Sequence, residues 1–527
     1  MFARIKCAGL MGIEGYCADV ETNVATGLPG FSLTGALSSE TREAQFRVWN
    51  ALKNCGFEPA PRKVTVNLSP SDIRKDGTYW DLPIAISVLS ALEVLDRKAG
   101  KLAEQFAFFG ELGLDGSIKP IRGILPLSFA IRSAGISTVV VPADNAAEAS
   151  LVPGIKVFAA VCLPDVIRLL CGKENGCMEY TPGDAVASLP CEQEAGPDMN
   201  EIHGQDYLKR AAEIAVSGRH NILFSGPAGT GKTMIAARMP TIMPDLTRDE
   251  DIELSKLYSI CGLLPKGNAL LSRRPIRKPH HGISQAAFCG GGPNVLPGEI
   301  SLASSGILFL DELPLFPRFV LETLRQPMEE GRITVSRMKG SYTYPADFQL
   351  VAAMNNCACG FYPDRKKCSC TPAQIKAYNG RLSKPLLERI DICAEARPVS
   401  YEEFLKKDAK TGESSAEIKK RVEKVYAIQK ERFRDEPGIL YNSRMTVREI
   451  EKFCVLGKAE EALMKEIYTA KGLSGRTYHK ILKVARTIAD MYGTPGIEKE
   501  HLLEAVELRS VEDSLFGNAK GGTCREF

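Results

Sequence analysis

Apolar and polar positions follow two different periods over the first 172 residues. "KVTVNL" (63–68), "FAFFGEL" (106–112) and "STVVVP" (137–142) predict strands. "SETREAQFRVWNALKNCG" (39–56) carries apolar residues at three- and four-residue spacing and stops at Gly56, which predicts a helix. "LPIAISVLSAL" (82–92) is almost wholly apolar and reads as a helix buried in a core. From 173 to 200 the pattern disappears into an acidic, turn-rich stretch, read as a linker. A second α/β region runs over 201–398, helical periodicity fills 399–512, and 513–527 reads as a loose tail. There are no internal repeats.

Hydrophobic residues make up 44% and charged residues 25%, which fits a soluble globular protein. No apolar run reaches the roughly 18 residues of a membrane span, and the N-terminus lacks the long apolar stretch of a signal peptide. The expectation is a cytoplasmic protein with no membrane partner. A net charge of +3 moves the question of nucleic acid to local patches. Sixteen cysteines are mostly scattered singly, which favours buried free thiols over a disulfide framework. The exception lies at 357–370.

The densest chemistry is in "NILFSGPAGTGKTMIAARM". A short apolar strand enters Gly226-Pro227-Ala228-Gly229-Thr230-Gly231-Lys232-Thr233 and a helix leaves it, as a phosphate-binding loop requires. Glycines let the backbone curl its N–H groups inward at phosphate oxygens, and the helix N-terminus adds partial positive charge. Lys232 is expected to reach the β- and γ-phosphates of ATP, and the Thr233 hydroxyl to hold Mg²⁺. About 80 residues later "GILFLDELPLF" supplies an apolar strand ending in acid. Asp311 would hold Mg²⁺ through water, and Glu312 would polarise the attacking water.

Between Leu254 and Gly298 there is no acid, but there are Lys256, Lys266, Arg273, Arg274, Arg277 and Lys278. "GRITVSRMKGSYTYP" alternates, carries Arg332, Arg337 and Lys339, and reads as a β-hairpin. Such positives can track a phosphate backbone without reading sequence. They can equally form a solvated face or touch a neighbouring subunit. Cys357, Cys359, Cys368 and Cys370 make C-x-C-x₈-C-x-C, able to close on one tetrahedral Zn²⁺. The spacing is tighter than the common C-x₂-C, and a reduced, metal-free loop is the alternative.

With Asp–Glu after the strand and Asn355 at the tip of "FQLVAAMNN", the chain resembles the AAA+ ATPases. "PHHGISQAAFCGGGPNVLPGEISLASSGILFLDELPLF", "LVAAMNNCACG", "LLERIDI" and "GLSGRTYHKILKVARTIADM" narrow this to the magnesium-chelatase-like AAA+ family, YifB/ComM branch, over nearly the whole length. The resemblance implies an α/β fold in which residues 1–172 are a Lon-protease-like domain and 201–398 an AAA+ P-loop core with a parallel sheet. Hairpin insertions in its second helix and before sensor 1, and a C-terminal helical lid, complete it. It implies a ring of six subunits with ATP at the interfaces, both insertions pointing towards the pore. Asn355 matches sensor 1, with Asn356 beside it where the family has proline. Arg389 matches the arginine finger supplied to a neighbour, with Arg381 second. Arg476 matches the lid arginine, expected on the γ-phosphate of its own subunit, with Arg486 as fallback.

In Lon the turn corresponding to Asp76-Gly77-Thr78-Tyr79 carries a serine nucleophile; here that position is Tyr79, and the lysine position is Leu125. A phenol and an isobutyl group supply neither nucleophile nor base, so the proteolytic site reads as vestigial. The family implies an ATP-driven DNA motor, a helicase or branch-migration factor in recombination and natural transformation, with recombination proteins as partners. The alternatives are a magnesium-chelatase-like ATPase that remodels a protein partner, and an ATP-dependent protease.

Overall fold

The computed structural model of the chain describes residues 1–57, 62–173, 176–181, 197–264, 271, 273–292, 295–337, 340–397 and 412–509. The loose tail, Lys266 and Lys339 lie outside the described residues, as does most of the linker.

The first unit is built on an eight-stranded sheet. Its longest pair is an antiparallel hairpin, Phe2–Met11 with Glu14–Ala25, in which Ala3, Ile5 and Cys7 point into the core. Alternation at period two buries one face of each strand. Lys63–Ser69 lies antiparallel to the second of these strands, and Gly30–Thr34 lies parallel to it as the far edge. On the other side Ala107–Phe108, Thr138–Pro142 and Lys156–Ala160 follow in parallel. Here the linker reading needs correction: Met178–Tyr180 pairs antiparallel with Lys156–Ala160 and closes that edge. Three residues are too few to show a period among turn formers. The strand is held by backbone pairing and by Glu179 on Lys156 at 2.7 Å.

Helix Asp81–Ala91 is buried along nearly its whole length against the hairpin, as its unbroken apolar run predicts. Helix Ser39–Asn54 is capped by Ser38, whose side chain accepts from the Thr41 N–H.

The second unit has a five-stranded, all-parallel sheet in the order Ile276–Arg277, Ile307–Leu310, Gln349–Met354, Ile222–Ser225, Ile392–Glu395. Covered on both faces, its central strands are buried at every position and almost wholly apolar. Their C-terminal ends therefore bring Gly226, Asp311 and Asn355 to one edge of the sheet.

Helices Ser415–Arg432, Val447–Phe453, Lys458–Lys471, Gly475–Tyr492 and Lys499–Glu507 form the lid. Ile481, Leu482 and Ile488 of the lid share one apolar core with Ile222 and Phe224 of the sheet. Each fully buried side chain of this kind contributes about 1.5–3 kcal/mol.

The two units meet along helix Arg248–Cys261. The Gly123 N–H donates to the Ser259 carbonyl at 3.1 Å, Ser259 Oγ donates to Glu148, and Lys256 pairs with Glu14 at 3.2 Å. Both predicted insertions are hairpins. Gly290–Gly291 pairs with Leu296–Pro297, and Arg332–Arg337 pairs with Gly340–Pro345. No helix among the described residues is long and apolar enough to cross a membrane.

Candidate nucleotide site and a basic cleft

The phosphate loop leaves its strand at Gly226, whose φ is +143°. A Cβ there would sit 2.6 Å from the Ala396 carbonyl oxygen, so both space and backbone demand glycine. Lys232 opens the helix Lys232–Arg238 and folds back over the loop. Its Nζ donates to the carbonyls of Gly226 (2.9 Å) and Pro227 (2.6 Å) and to Asn355 Oδ1 (3.2 Å). Burial pulls its pKa down to about 8, opposed by the nearby Asp311 carboxylate. Thr233 Oγ1 donates to Asp311 Oδ2 at 3.1 Å, so hydroxyl and carboxylate oxygens lie side by side. These loop residues, with Asp311, Glu312, Met354 and Asn355, line a cavity of about 370 Å³.

This arrangement fits Mg²⁺-ATP. The curled loop offers N–H groups, Lys232 offers a charge now held by carbonyl oxygens, the Thr230 hydroxyl and an amide, and the Thr233–Asp311 pair offers hard oxygen ligands. Glu312 is exposed and has φ +52°, a left-handed conformation that is uncommon outside glycine and clusters at functional sites. Its own N–H donates to Asp311 Oδ1 at 3.0 Å, tying the two acids into one turn. Of the adjacent asparagines, Asn355 faces Lys232, whereas Asn356 donates to Glu395 at 3.2 Å and is turned away from the loop. Sequence reasoning counted Lys278 only as surface charge. Its Nζ lies 3.7 Å from Asp311 Oδ2, beside the acid that would hold the metal.

The arginines are placed elsewhere. Arg389 and Arg476 line a second cavity of about 380 Å³ with Arg219, Arg444, Lys480 and Lys483. Arg476, expected over its own subunit's γ-phosphate, is not among the residues around the phosphate loop in this conformation. The lid packs by its apolar face on the sheet, which leaves Arg476 exposed in the same cleft as Arg389. Arg389 pairs with Glu329 at 2.7 Å and donates to the Pro385 carbonyl at 2.8 Å. Arg381 is exposed. Arg486 is buried on Asp490 and the carbonyls of Thr494 and Pro495, a structural role.

The acid-free stretch is less positive than its sequence suggests. Arg274 makes a bidentate pair with Glu250 at 2.9 and 3.1 Å, Arg277 one with Glu299 at 2.6 Å, and Lys256 and Lys278 meet Glu14 and Asp311. The partners come from neighbouring elements, so a window of sequence could not reveal them. Arg273 is exposed. On the second hairpin, Ile333, Val335 and Tyr344 face the core, while Arg332, Thr334 and Ser336 face outward. Arg337 ends that strand, and its side chain lies outside the described residues.

In the first unit, Thr78 Oγ1 donates to Glu111 at 2.5 Å, and the Tyr79 hydroxyl accepts from the Leu10 N–H at 3.2 Å. Leu125 is fully buried. The nearby Lys75 points its amine at the Ile73 carbonyl at 2.7 Å. With the Tyr79 hydroxyl tied to the backbone and Leu125 in the core, neither Lon position offers a nucleophile or a base. The Sγ atoms of Cys357, Cys359, Cys368 and Cys370 all lie within 4.8 Å of one another, an arrangement able to hold a metal ion. Every described cysteine is a free thiol.

Comparison with known proteins agrees with this geometry. The family described as magnesium chelatase, subunit ChlI, matches residues 198–404; subunit ChlI of Mg-chelatase matches 20–145, and its C-terminal domain matches 412–509. The competence protein ComM of Haemophilus influenzae is 39% identical over 505 residues, covering 95% of this chain and 96% of that protein. The uncharacterized protein YifB of Salmonella typhimurium is 39% identical over 513 residues, covering 97% and 98%. A Lon protease from Mycolicibacterium smegmatis is 28% identical over 148 residues, covering 27% of this chain and 18% of that protein. A phosphate loop, an acid pair and a polar strand tip on one sheet edge, with matches of this extent, place the chain in the magnesium-chelatase-like AAA+ ATPase family, in the branch of ComM and YifB.

Proposed function

We propose that the protein is a cytoplasmic, ATP-driven motor that assembles as a ring, expected to be hexameric, and moves DNA. The observation that carries the reading is the separation of two half-sites on one chain. The phosphate loop with Asp311, Glu312 and Asn355 forms one cavity, and Arg389 with Arg476 lines another. A second copy offering its basic cleft to the first copy's phosphates would complete the site. Thr233 and Asp311 would hold Mg²⁺, which would supply positive charge against the phosphates. Lys232 would leave its carbonyl partners for the β- and γ-phosphates, and Asn355, freed of Lys232, would orient the attacking water. Glu312 would accept that water's proton. A neighbour's Arg389 would release Glu329 to meet the charge developing on the γ-phosphate, a contribution of about 10³–10⁵ in rate.

DNA as the substrate is supported by the outward polar face of the hairpin, where Arg332 stands and which Arg337 and Lys339 continue in sequence. The name of the relative ComM ties that protein to competence. Branch migration of recombination intermediates, with recombination proteins as partners, is the activity that fits both. The second reading, a motor that remodels a protein partner, is favoured by the internal neutralisation of Arg274, Arg277 and Lys256.

The deciding experiment measures ATP hydrolysis alone, with forked DNA and with four-way DNA, alongside nucleotide-dependent assembly by light scattering. Stimulation by branched DNA that fades with salt is the expected result. Turnover indifferent to DNA would move the reading to the protein-remodelling motor. A chain that stays monomeric when saturated with nucleotide would end both readings.

A further inference from the structure

Four thiols converge directly behind the nucleotide site, and the phosphate loop leans on the segment that carries them. The Sγ distances are 3.3 Å for Cys357–Cys359, 3.8 Å for Cys357–Cys368 and 3.5 Å for Cys359–Cys368. One Zn²⁺ with bonds of about 2.3 Å to four thiolates requires an edge of about 3.8 Å between sulfurs. With all four within 4.8 Å, the cage fits a single ion; a polynuclear cluster would hold its thiolates further apart. Cys357 and Cys368 are buried, while Arg365, Lys366 and Lys367 of the intervening turn are exposed around the doubly negative charge that four thiolates and one divalent ion would leave. The Tyr362 N–H points at Cys357 Sγ at 3.4 Å, the outer contact that steadies a metal-bound thiolate.

Between the first two ligands and the last two lies Gly360, at φ +82°. Its carbonyl accepts from the N–H of Ala228, in the middle of the phosphate loop, at 2.8 Å. A Cβ on Gly360 would lie 3.0 Å from the Ala228 side chain and 3.9 Å from Asn355 Nδ2. One short turn thus touches both the phosphate loop and the asparagine that faces Lys232.

We propose that Cys357, Cys359, Cys368 and Cys370 bind one Zn²⁺, and that this centre is a brace that fixes the Gly360 carbonyl against Ala228, so that nucleotide affinity depends on the metal. The ion takes no part in hydrolysis. It fixes the turn that carries Gly360, and the phosphate loop is held in its binding shape from outside.

The test uses the full-length protein. Metal analysis is expected to give one zinc per chain. Exchange into Co²⁺ is expected to give the sulfur-to-metal charge-transfer absorption of a tetrahedral thiolate site. Nucleotide affinity is then read by titration with a fluorescent ADP analogue at fixed excess Mg²⁺. Cys359→Ser is expected to lose zinc and weaken binding about tenfold, the loss of one supporting hydrogen bond. Cys370→His, which keeps a ligand, is expected to retain both. Gly360→Ala is expected to keep zinc and still weaken binding, because it breaks the brace and spares the cage. Should Cys359→Ser not fold, hydrogen exchange at the Ala228 amide of the wild-type protein, with and without zinc, reads the same contact. Absence of zinc together with absence of the cobalt band overturns the site. Unchanged nucleotide affinity or unchanged Ala228 protection in zinc-free protein overturns the brace.

Discussion

The side-chain amine of Lys480 donates to the backbone carbonyl of Arg389 at 2.7 Å and pairs with the Asp391 carboxylate beside it. The lid helix Gly475–Tyr492 therefore holds the loop that carries Arg389, the proposed finger. Burial alone would raise the Asp391 pKa, but Lys480 and His220 outweigh it and hold the carboxyl well below its usual range. Lys480→Met removes one partner of this pair and is expected to cost about 3–5 kcal/mol of stability. Displacing Arg389 by even an ångström is expected to slow hydrolysis by about 10²-fold. Nucleotide binding at the phosphate loop, on a separate cavity, should be unchanged. Calorimetry, turnover and nucleotide titration of the one variant check all three.

Glu312→Gln keeps the shape of the turn and removes the carboxylate proposed to accept the water's proton. Hydrolysis is expected to fall by about 10²–10⁴-fold, the usual worth of a general base. ATP binding and nucleotide-dependent assembly should remain. Lys232→Ala should instead abolish binding itself. A Glu312→Gln protein that turns over at the wild-type rate would show that another group activates the water.

The depressed pKa of Lys232 makes nucleotide binding pH-dependent. In the free protein the amine loses its proton near pH 8, below the usual value of about 10.4. Phosphate oxygens favour the charged form, so above pH 8 binding must take up a proton. Affinity is expected to fall by up to about tenfold per pH unit between 8 and 10. Titration calorimetry at pH 7 and pH 9, each in two buffers of different ionisation enthalpy, should find proton uptake only at pH 9. The same depression means the free protein carries a stability cost below about pH 8, relieved as pH rises towards the unfolded value.

Two arginines separate surface charge from structural charge. Arg332 stands outward on the hairpin, and Arg332→Ala is expected to weaken DNA binding across sequences and lower the salt slope by about 0.7–0.9. Arg274 is buried on Glu250, and Arg274→Ala is expected to lower stability by about 3–5 kcal/mol with the salt slope unchanged. Binding isotherms across a salt series, paired with thermal melts, distinguish them.

The parts of the site that follow one another along the chain were legible in the sequence. The loop at 226–233, the acid pair and Asn355 each close an apolar strand, and a parallel sheet brings such ends together whatever the intervening loops do. Long-range pairing was not legible. Glu250, Glu299 and Glu14 reach their basic partners only after folding, so a stretch without acid looked more positive than it is. The cleft shared by Arg389 and Arg476 depends on how the lid packs, which periodicity does not specify. The opening hairpin carried its own signal, since Ala3, Ile5 and Cys7 alternate, but its glycines blurred the run.

The core that joins Ile481, Leu482 and Ile488 to Ile222 and Phe224 has a mechanical consequence. Prying lid from sheet within one polypeptide would wet a large greasy surface, so the chain behaves as a stiff lever. In the proposed ring, whatever work the chemistry delivers would then emerge at the seams, as rotation of one whole copy against the next.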